Sequence, residues 1–167
     1  MYRVGILTVS DRGARGERED RSGPAVAETI ALLPGAQVQE RAIVPDEQPQ
    51  IEAALRRWVA EGLELILTTG GTGMSPRDVT PEATRAVIER EAPGFAEAMR
   101  AASLAITPHA MLSRAVAGIA GCTLIINLPG SPKAARENLL TVLPALSHGL
   151  DKLKGDPAEC ATPERPA

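Results

Sequence analysis

Leu63-Glu-Leu-Ile-Leu-Thr-Thr-Gly-Gly-Thr-Gly-Met-Ser-Pro-Arg-Asp-Val-Thr-Pro81 is the stretch from which the rest of the chain can be read. Leu63 to Leu67 is short and mostly apolar, and reads as a buried parallel strand. Thr80-Pro81 opens a helical segment that runs through Thr84 to Glu91, with Thr80 as N-cap and Pro81 at the first helical position. Between them, Gly70, Gly71 and Gly73 remove side chains where the backbone must turn tightly and bring its N–H groups close to a ligand. A run of free N–H groups beside a helix N-terminus favours an anion, most often a phosphate. The loop is not a Walker motif, because Met74-Ser75 follows Gly73, and Pro76 stands where a dinucleotide fingerprint needs its third glycine. A bare Gly-Gly-Thr-Gly also serves as a plain strand-to-helix turn. Arg77-Asp78 tips the balance, since a turn needs no carboxylate there and a magnesium–nucleotide site does.

Upstream, Tyr2 to Ser10 reads as a first strand, apolar on both faces and therefore central, with Ser10 and Asp11 at its carboxyl end. Ala14 to Arg21 is charged and aperiodic, a loop. Ser22 caps a helix through Leu33, Val38 to Val44 alternates like an edge strand, and Asp46-Glu47 leads into a helix carrying Ile51, Leu55, Trp58 and Val59. Downstream, Phe95 to Leu104 is helical and Ala115 to Ala120 reads as a second edge strand. Cys122 to Leu128 is a buried strand, and Asn127-Leu-Pro-Gly-Ser131 leads into a last helix capped by Ser131, with a kink or break at Pro144. Residues 1–154 form one domain, and 155–167 are expected to be a disordered tail. Strand and helix alternate, so the fold class is α/β, a mostly parallel, doubly wound sheet flanked by helices. In such a sheet Ser10-Asp11, Gly70 to Asp78 and Asn127 to Ser131 lie along one edge and can line one cleft.

The bulk properties narrow the function. With 18 basic against 21 acidic residues there is no broad basic surface, and one Trp, one Tyr and one Phe cannot build a stacking platform. A nucleic-acid role is not expected. Cys122 and Cys160 suggest neither a disulfide framework nor zinc, and His109 and His148 are too few for a histidine-rich metal site. No apolar run approaches membrane-spanning length and the first residues form no signal peptide, so a cytoplasmic protein is expected.

Thr69-Gly-Gly-Thr-Gly73, Arg77-Asp-Val-Thr-Pro-Glu-Ala83, Leu112-Ser-Arg114 and Asn127-Leu-Pro-Gly-Ser131 together resemble the molybdopterin adenylyltransferase family (the MogA/MoaB group), and with it the molybdopterin-binding domain of gephyrin. The resemblance covers nearly the whole chain. It implies a compact trimeric α/β domain that transfers AMP from ATP to the terminal phosphate of molybdopterin, in transient contact with other enzymes of molybdenum-cofactor synthesis. By the same resemblance Asp46 and Asp78 are the catalytic aspartates and the Mg2+ ligands, and Ser113 is a pterin-binding serine. Ser10, Asp11, Gly70, Gly71, Thr72, Gly73, Ser75, Pro76, Arg77, Arg114, Asn127, Pro129, Gly130 and Ser131 complete the expected substrate and nucleotide contacts.

The residues also carry plainer readings. Asp46 precedes a helical pattern and can be a cap, and Asp78 can pair with Arg77, although neighbours in sequence rarely face each other well. Ser113 is otherwise an exposed hydroxyl, Arg114 and Lys133 are otherwise solvated cations, and 127–131 is otherwise a turn. A non-catalytic molybdopterin-binding or scaffold protein is the alternative function. The intact aspartate pair and the complete Arg-Asp-Val-Thr-Pro run favour the enzyme.

Overall fold

The computed structural model describes residues 1–156. The strands are β1 (Tyr2–Val9), β2 (Ala36–Val44), β3 (Leu65–Thr69), β4 (Arg90–Glu91), β5 (Ala117–Ala120) and β6 (Thr123–Leu128). The helices are α1 (Asp11–Ala14), α2 (Ser22–Ile30), α3 (Gln48–Ala60), α4 (Thr80–Arg85), α5 (Pro93–Leu104) and α6 (Pro132–Leu153), with a 3-10 turn at Pro108–Leu112. One six-stranded sheet runs in the order β2-β1-β3-β6-β5-β4. Its first four strands are parallel; at one end β5 runs antiparallel to β6, and the short β4 pairs antiparallel with β5.

The period-two alternation of the central strands splits the core into two layers. Val4, Ile6, Leu65, Leu67, Leu124 and Ile126 face α2, α5 and α6 on one side. Leu7, Val9, Ile66 and Ile125 face Ile51, Leu55 and Trp58 of α3 and Ala83 of α4 on the other. Both faces of the central strands are thus covered, which is why their sequences read as near-continuous apolar runs. β2, with one covered face at the sheet margin, keeps its alternation.

Five local expectations need correction. The helix expected to reach Glu91 ends at Arg85. Glu89 N–H donates to the Ile119 carbonyl at 2.8 Å, and Arg90–Glu91 continues as β4, so β5 is not the sheet edge. Thr80 is inside α4 rather than its cap, and its hydroxyl donates to the Gly70 carbonyl at 2.9 Å. Ser22 is likewise the first residue of α2, and the capping acceptor is Asp20, whose Oδ1 takes the Gly23 N–H at 2.9 Å. Finally, α6 runs unbroken through Pro144. Ser131 does occupy the N-cap position of α6, but its hydroxyl makes no capping hydrogen bond.

Lys154, placed near the start of the tail by sequence, closes α6 and is tied down. Its ammonium lies 3.1 Å from Glu64 Oε1, donates to the Met1 carbonyl at 2.7 Å and sits over the Tyr2 ring. From residue 157 the expected tail falls outside the described residues. Among the described residues no helix is long and apolar enough to cross a membrane.

Candidate active site

Parallel strands β1, β3 and β6 end side by side, so the loops that follow them meet at one edge of the sheet. A cavity of about 440 Å³ opens there, walled by Ser10, Gly70, Gly71, Gly130 and Ser131, with the carboxylates of Asp20, Asp46 and Asp78 on its lining. Gly70 and Gly71 take φ values of 104° and 64°, which side-chain-bearing residues rarely adopt. A Cβ on Gly70 would lie 2.3 Å from the Val9 carbonyl oxygen, and one on Gly71 would lie 2.3 Å from Thr80 Oγ1. The glycine loop is therefore pressed against β1 and α4, and Gly130 closes on it from the β6 side, its would-be Cβ 3.2 Å from Gly70 Cα.

The two expected catalytic aspartates reach this cavity from different loops. Asp46 Oδ2 accepts the Asp11 N–H at 2.8 Å, and Asp78 Oδ2 accepts the Ser75 N–H at 2.8 Å. Among the described residues the Oδ1 atom of each is left without a hydrogen bond. Burial pushes the Asp46 carboxyl above the usual carboxylate value; the Asp11 N–H opposes this, and the charges of Asp11 and Asp78 add to it. Asp46 does not cap α3, the helix that follows it: α3 has Glu47 at its N-cap and no side-chain cap bond.

Around them lies a network of charge. Arg77 does not pair with its neighbour Asp78. Its Nε and Nη2 grip Asp11 Oδ2 and Oδ1 at 3.1 and 2.9 Å, and Nη2 also reaches Glu47 Oε1 at 2.8 Å. Hydrogen bonds from Arg77 hold the Asp11 carboxyl below its ordinary range, and the two carboxylates in turn raise the guanidinium. Ser10 Oγ accepts the Gly13 N–H at 3.1 Å and so caps α1. Ser75, Pro76 and Arg77 are exposed.

Four expected contacts lie elsewhere. Asn127 is fully buried, its amide nitrogen donating to Thr68 and Thr84 hydroxyls at 2.9 Å each and its oxygen accepting the Val116 N–H at 3.2 Å. With its amide engaged inside the core it cannot reach a ligand, so the expected contact role gives way to a structural one. Arg114 is spent on the protein too: its Nε donates to the Gly73 carbonyl at 2.7 Å, and its terminal nitrogens hold the Asp78 carbonyl and the Glu82 carboxylate. Thr72 is buried, and its carbonyl accepts the Arg114 N–H at 2.9 Å. Ser113 does not line the main cavity. It borders a second, more apolar one of about 220 Å³, together with Pro129, His109 and Asn138.

Sequence reasoning missed Asp20 and the residues around it. Its Oδ2 accepts the Thr8 hydroxyl at 2.8 Å, which pins the β1–α2 loop to the carboxyl end of β1 and sets Arg18 and Arg21 on the cavity wall. An aspartate three residues before Gly23 is a recognisable N-cap spacing. Nothing in the aperiodic charge of the loop marks the two arginines.

The donor set suits a magnesium ion shared with phosphates. Mg2+ is held by one or two carboxylates, with substrate phosphates and water completing the shell. Asp46 and Asp78 can supply two oxygens of that kind, whereas no group of three or more His, Cys, Asp or Glu able to hold a metal occurs among the described residues.

A doubly wound sheet with glycine-walled, carboxylate-bearing loops at the ends of its parallel strands defines an α/β domain whose cavity lies where such sheets place their ligands. The family model for a probable molybdopterin binding domain matches residues 5–148, and the chain belongs to that family. Over 156 residues it is 45% identical to a molybdopterin adenylyltransferase of Helicobacter pylori, covering 92% of this chain and 88% of that protein. It is 46% identical to gephyrin of Dictyostelium discoideum over 92% of its own length, but spans only 23% of that larger protein. Among solved structures, the molybdopterin biosynthesis enzyme MoaB of Thermus thermophilus superposes with a TM-score of 0.89 at 57% identity, covering 95% of this chain and all of the other.

Proposed function

We propose that this chain is a molybdopterin adenylyltransferase that uses Mg-ATP. The observation that carries the reading is the meeting of Asp46 and Asp78, from two separate loops, on the wall of one glycine-lined cavity. In the reaction an oxygen of the terminal phosphate of molybdopterin attacks the α-phosphorus of ATP. The bond from that phosphorus to the oxygen bridging to the β-phosphorus breaks, and pyrophosphate leaves. The protein's share is to align the two phosphates and to offset charge building on the leaving group. Asp46 and Asp78 would hold the magnesium, which would supply Lewis-acid charge to the reacting phosphates. Gly70 and Gly71 let phosphates approach the main chain, and Arg18 and Arg21 set positive charge on the same wall.

The pterin belongs at the second cavity, where Ser113 and Pro129 sit. Pro129 adjoins Gly130 and Ser131 of the main cavity, so a ligand lying across this loop directs its phosphate towards the aspartates. We place the domain in a homotrimer, in keeping with the resemblance and with the exposed β2 edge, whose unpaired strand groups favour cover. Light scattering at micromolar protein gives the trimer mass on this reading.

The deciding experiment is pyrophosphate release from Mg-ATP, measured with and without molybdopterin. Release that depends on molybdopterin and stops on chelation of the metal is the expected result. Molybdopterin binding without any release would make the chain a non-catalytic binding protein.

A further inference from the structure

Arg77 lies beside Asp78 in sequence, and Glu47 lies beside Asp46. The two outer residues meet in an ion pair at 2.8 Å, so the two inner ones are brought to the same cavity by a fixed brace. The brace has a second arm. Arg77 holds both oxygens of Asp11, and Asp11 in turn exchanges backbone-to-carboxylate hydrogen bonds with Asp46 at 2.8 and 3.0 Å. Both routes run from the loop bearing Asp78 to the loop bearing Asp46, and both pass through one guanidinium.

A phosphate-binding arginine would be expected to keep a fork of donors facing the ligand. Arg77 directs Nε and Nη2 at carboxylates of its own chain, and it is not among the residues lining the main cavity. We propose that Arg77 is a positioning residue, which sets the spacing of the Asp46 and Asp78 carboxylates through Asp11 and Glu47 and touches no substrate phosphate. This rests on the adenylyltransferase reading above. The planar fork matters here, because two carboxylates must be held in fixed directions at once; a lysine ammonium offers a point charge and cannot reproduce the bidentate contact. Groups that orient metal ligands from behind commonly change metal affinity by about 10–100-fold when removed.

The test uses the full chain and two probes, AMP and Mn2+. Calorimetry with AMP in the presence of EDTA reads the phosphate contacts without metal, and electron paramagnetic resonance of Mn2+ added to the AMP complex reads the carboxylate pair. For Arg77→Ala the expected result is AMP affinity within about twofold of the parent, with Mn2+ affinity about tenfold weaker or more. Arg77→Lys should fall between the two, and Asp11→Asn combined with Arg77→Ala should cost little beyond Arg77→Ala alone, since Asp11 acts through the same guanidinium. Arg77 is half exposed, at 52%, with Glu47 at 47% and Asp11 at 26%, so melting temperature should move little and the readout stays available. An AMP affinity reduced about tenfold in EDTA would make Arg77 a phosphate ligand and overturn the proposal. Unchanged Mn2+ affinity in Arg77→Ala would overturn it as well. A parent protein that binds neither AMP nor Mn2+ would instead sink the adenylyltransferase reading on which the proposal rests.

Discussion

Asp11 and Asp46 hold each other through the main chain: Asp11 N–H donates to Asp46 Oδ2 at 2.8 Å and Asp46 N–H donates to Asp11 Oδ1 at 3.0 Å. The exchange ties the end of β1 to the end of β2 at the mouth of the cavity. It also crowds negative charge, because Asp78 lines the same wall and Arg77 offsets only part of the group. Asp46 thus lies half-buried among like charges, in a setting that does not favour its own ionisation.

That tension gives a prediction on Asp46→Asn. Burial first, then the charges of Asp11 and Asp78, raise the folded-state carboxyl above its ordinary value of 3.8. Between the unfolded and the folded pKa the native state therefore binds more protons, so stability falls as pH rises through that window and stays lower at neutral pH. Asparagine keeps an acceptor oxygen for the Asp11 N–H and carries no charge. Its melting temperature at pH 7 should exceed that of the parent, with the gain shrinking as pH falls into the carboxylate range. Turnover should drop by roughly 10²–10³, as for loss of one well-placed electrostatic group. A variant less stable than the parent at pH 7, yet fully active, would show that Asp46 is a structural residue.

The glycine loop predicts a contrast between two alanine substitutions. Gly70 combines a φ of 104° with a would-be Cβ 2.3 Å from a backbone oxygen that cannot move aside. Gly70→Ala should lose on the order of 2–3 kcal/mol, the range for forcing a side chain into such a conformation. Gly149 is inside α6 with nothing within 4 Å of its would-be Cβ. Gly149→Ala should gain about 0.5–1 kcal/mol from helix propensity alone. Urea midpoints of the two variants, read against the parent, check both signs at once.

Asn127 sits in a motif that reads as a ligand loop, yet its amide joins three elements inside the core. Asn127→Leu matches its bulk but strands the Val116 N–H and removes the partner of the Thr68 and Thr84 hydroxyls. Leaving buried polar groups unpaired costs about 1–3 kcal/mol each, so a loss near 3 kcal/mol or more in chemical denaturation is expected. AMP affinity of the folded fraction should stay close to that of the parent. Retained stability with lost AMP binding would put Asn127 in the site after all.

The sheet and its order of strand, loop and helix were legible because each buried strand carries its own signal. Leu65 to Leu67 and Leu124 to Leu128 are apolar almost throughout since both faces are covered, and β2 alternates since it lies at the margin. What escaped was decided by tertiary partners. Thr80 looks like a cap, but the carbonyl of Gly70 competes for its hydroxyl. Arg90–Glu91 follows a helical pattern, but β5 offers free strand groups and takes it. At the site, Gly70, Gly71 and Asp78 could be placed by sequence because loops after parallel strands converge, whereas Asp46 reads alone as a helix cap and is placed by the family resemblance. The partners of Arg77 and Arg114 could not, since an arginine reaches several loops and spacing alone does not say which.

Arg114 supplies the last prediction. From the end of the 3-10 turn it reaches across to the Gly73 and Asp78 carbonyls and the Glu82 carboxylate, so one side chain spans the loop that presents Asp78. Charged donors on carbonyls contribute about 1.5–3 kcal/mol in favourable cases, and with a side chain 34% exposed the lower end applies; Arg114→Ala should lose about 2 kcal/mol. Lysine cannot span the same acceptors, so Arg114→Lys should behave more like alanine than like the parent. The Glu82 end has a pH signature. The Arg114 hydrogen bond holds its carboxyl below the ordinary 4.5, so the folded state binds fewer protons and the contribution is present above 4.5 and lost as pH falls through the folded value. Glu82→Gln should therefore be less stable than the parent at pH 7, by up to about 1 kcal/mol, and the gap should close on acidification below 4.5. In Arg114→Ala the loosened loop should slow turnover while AMP affinity in EDTA is kept. A loss of AMP affinity with unchanged stability would turn Arg114 from a strap into a phosphate ligand.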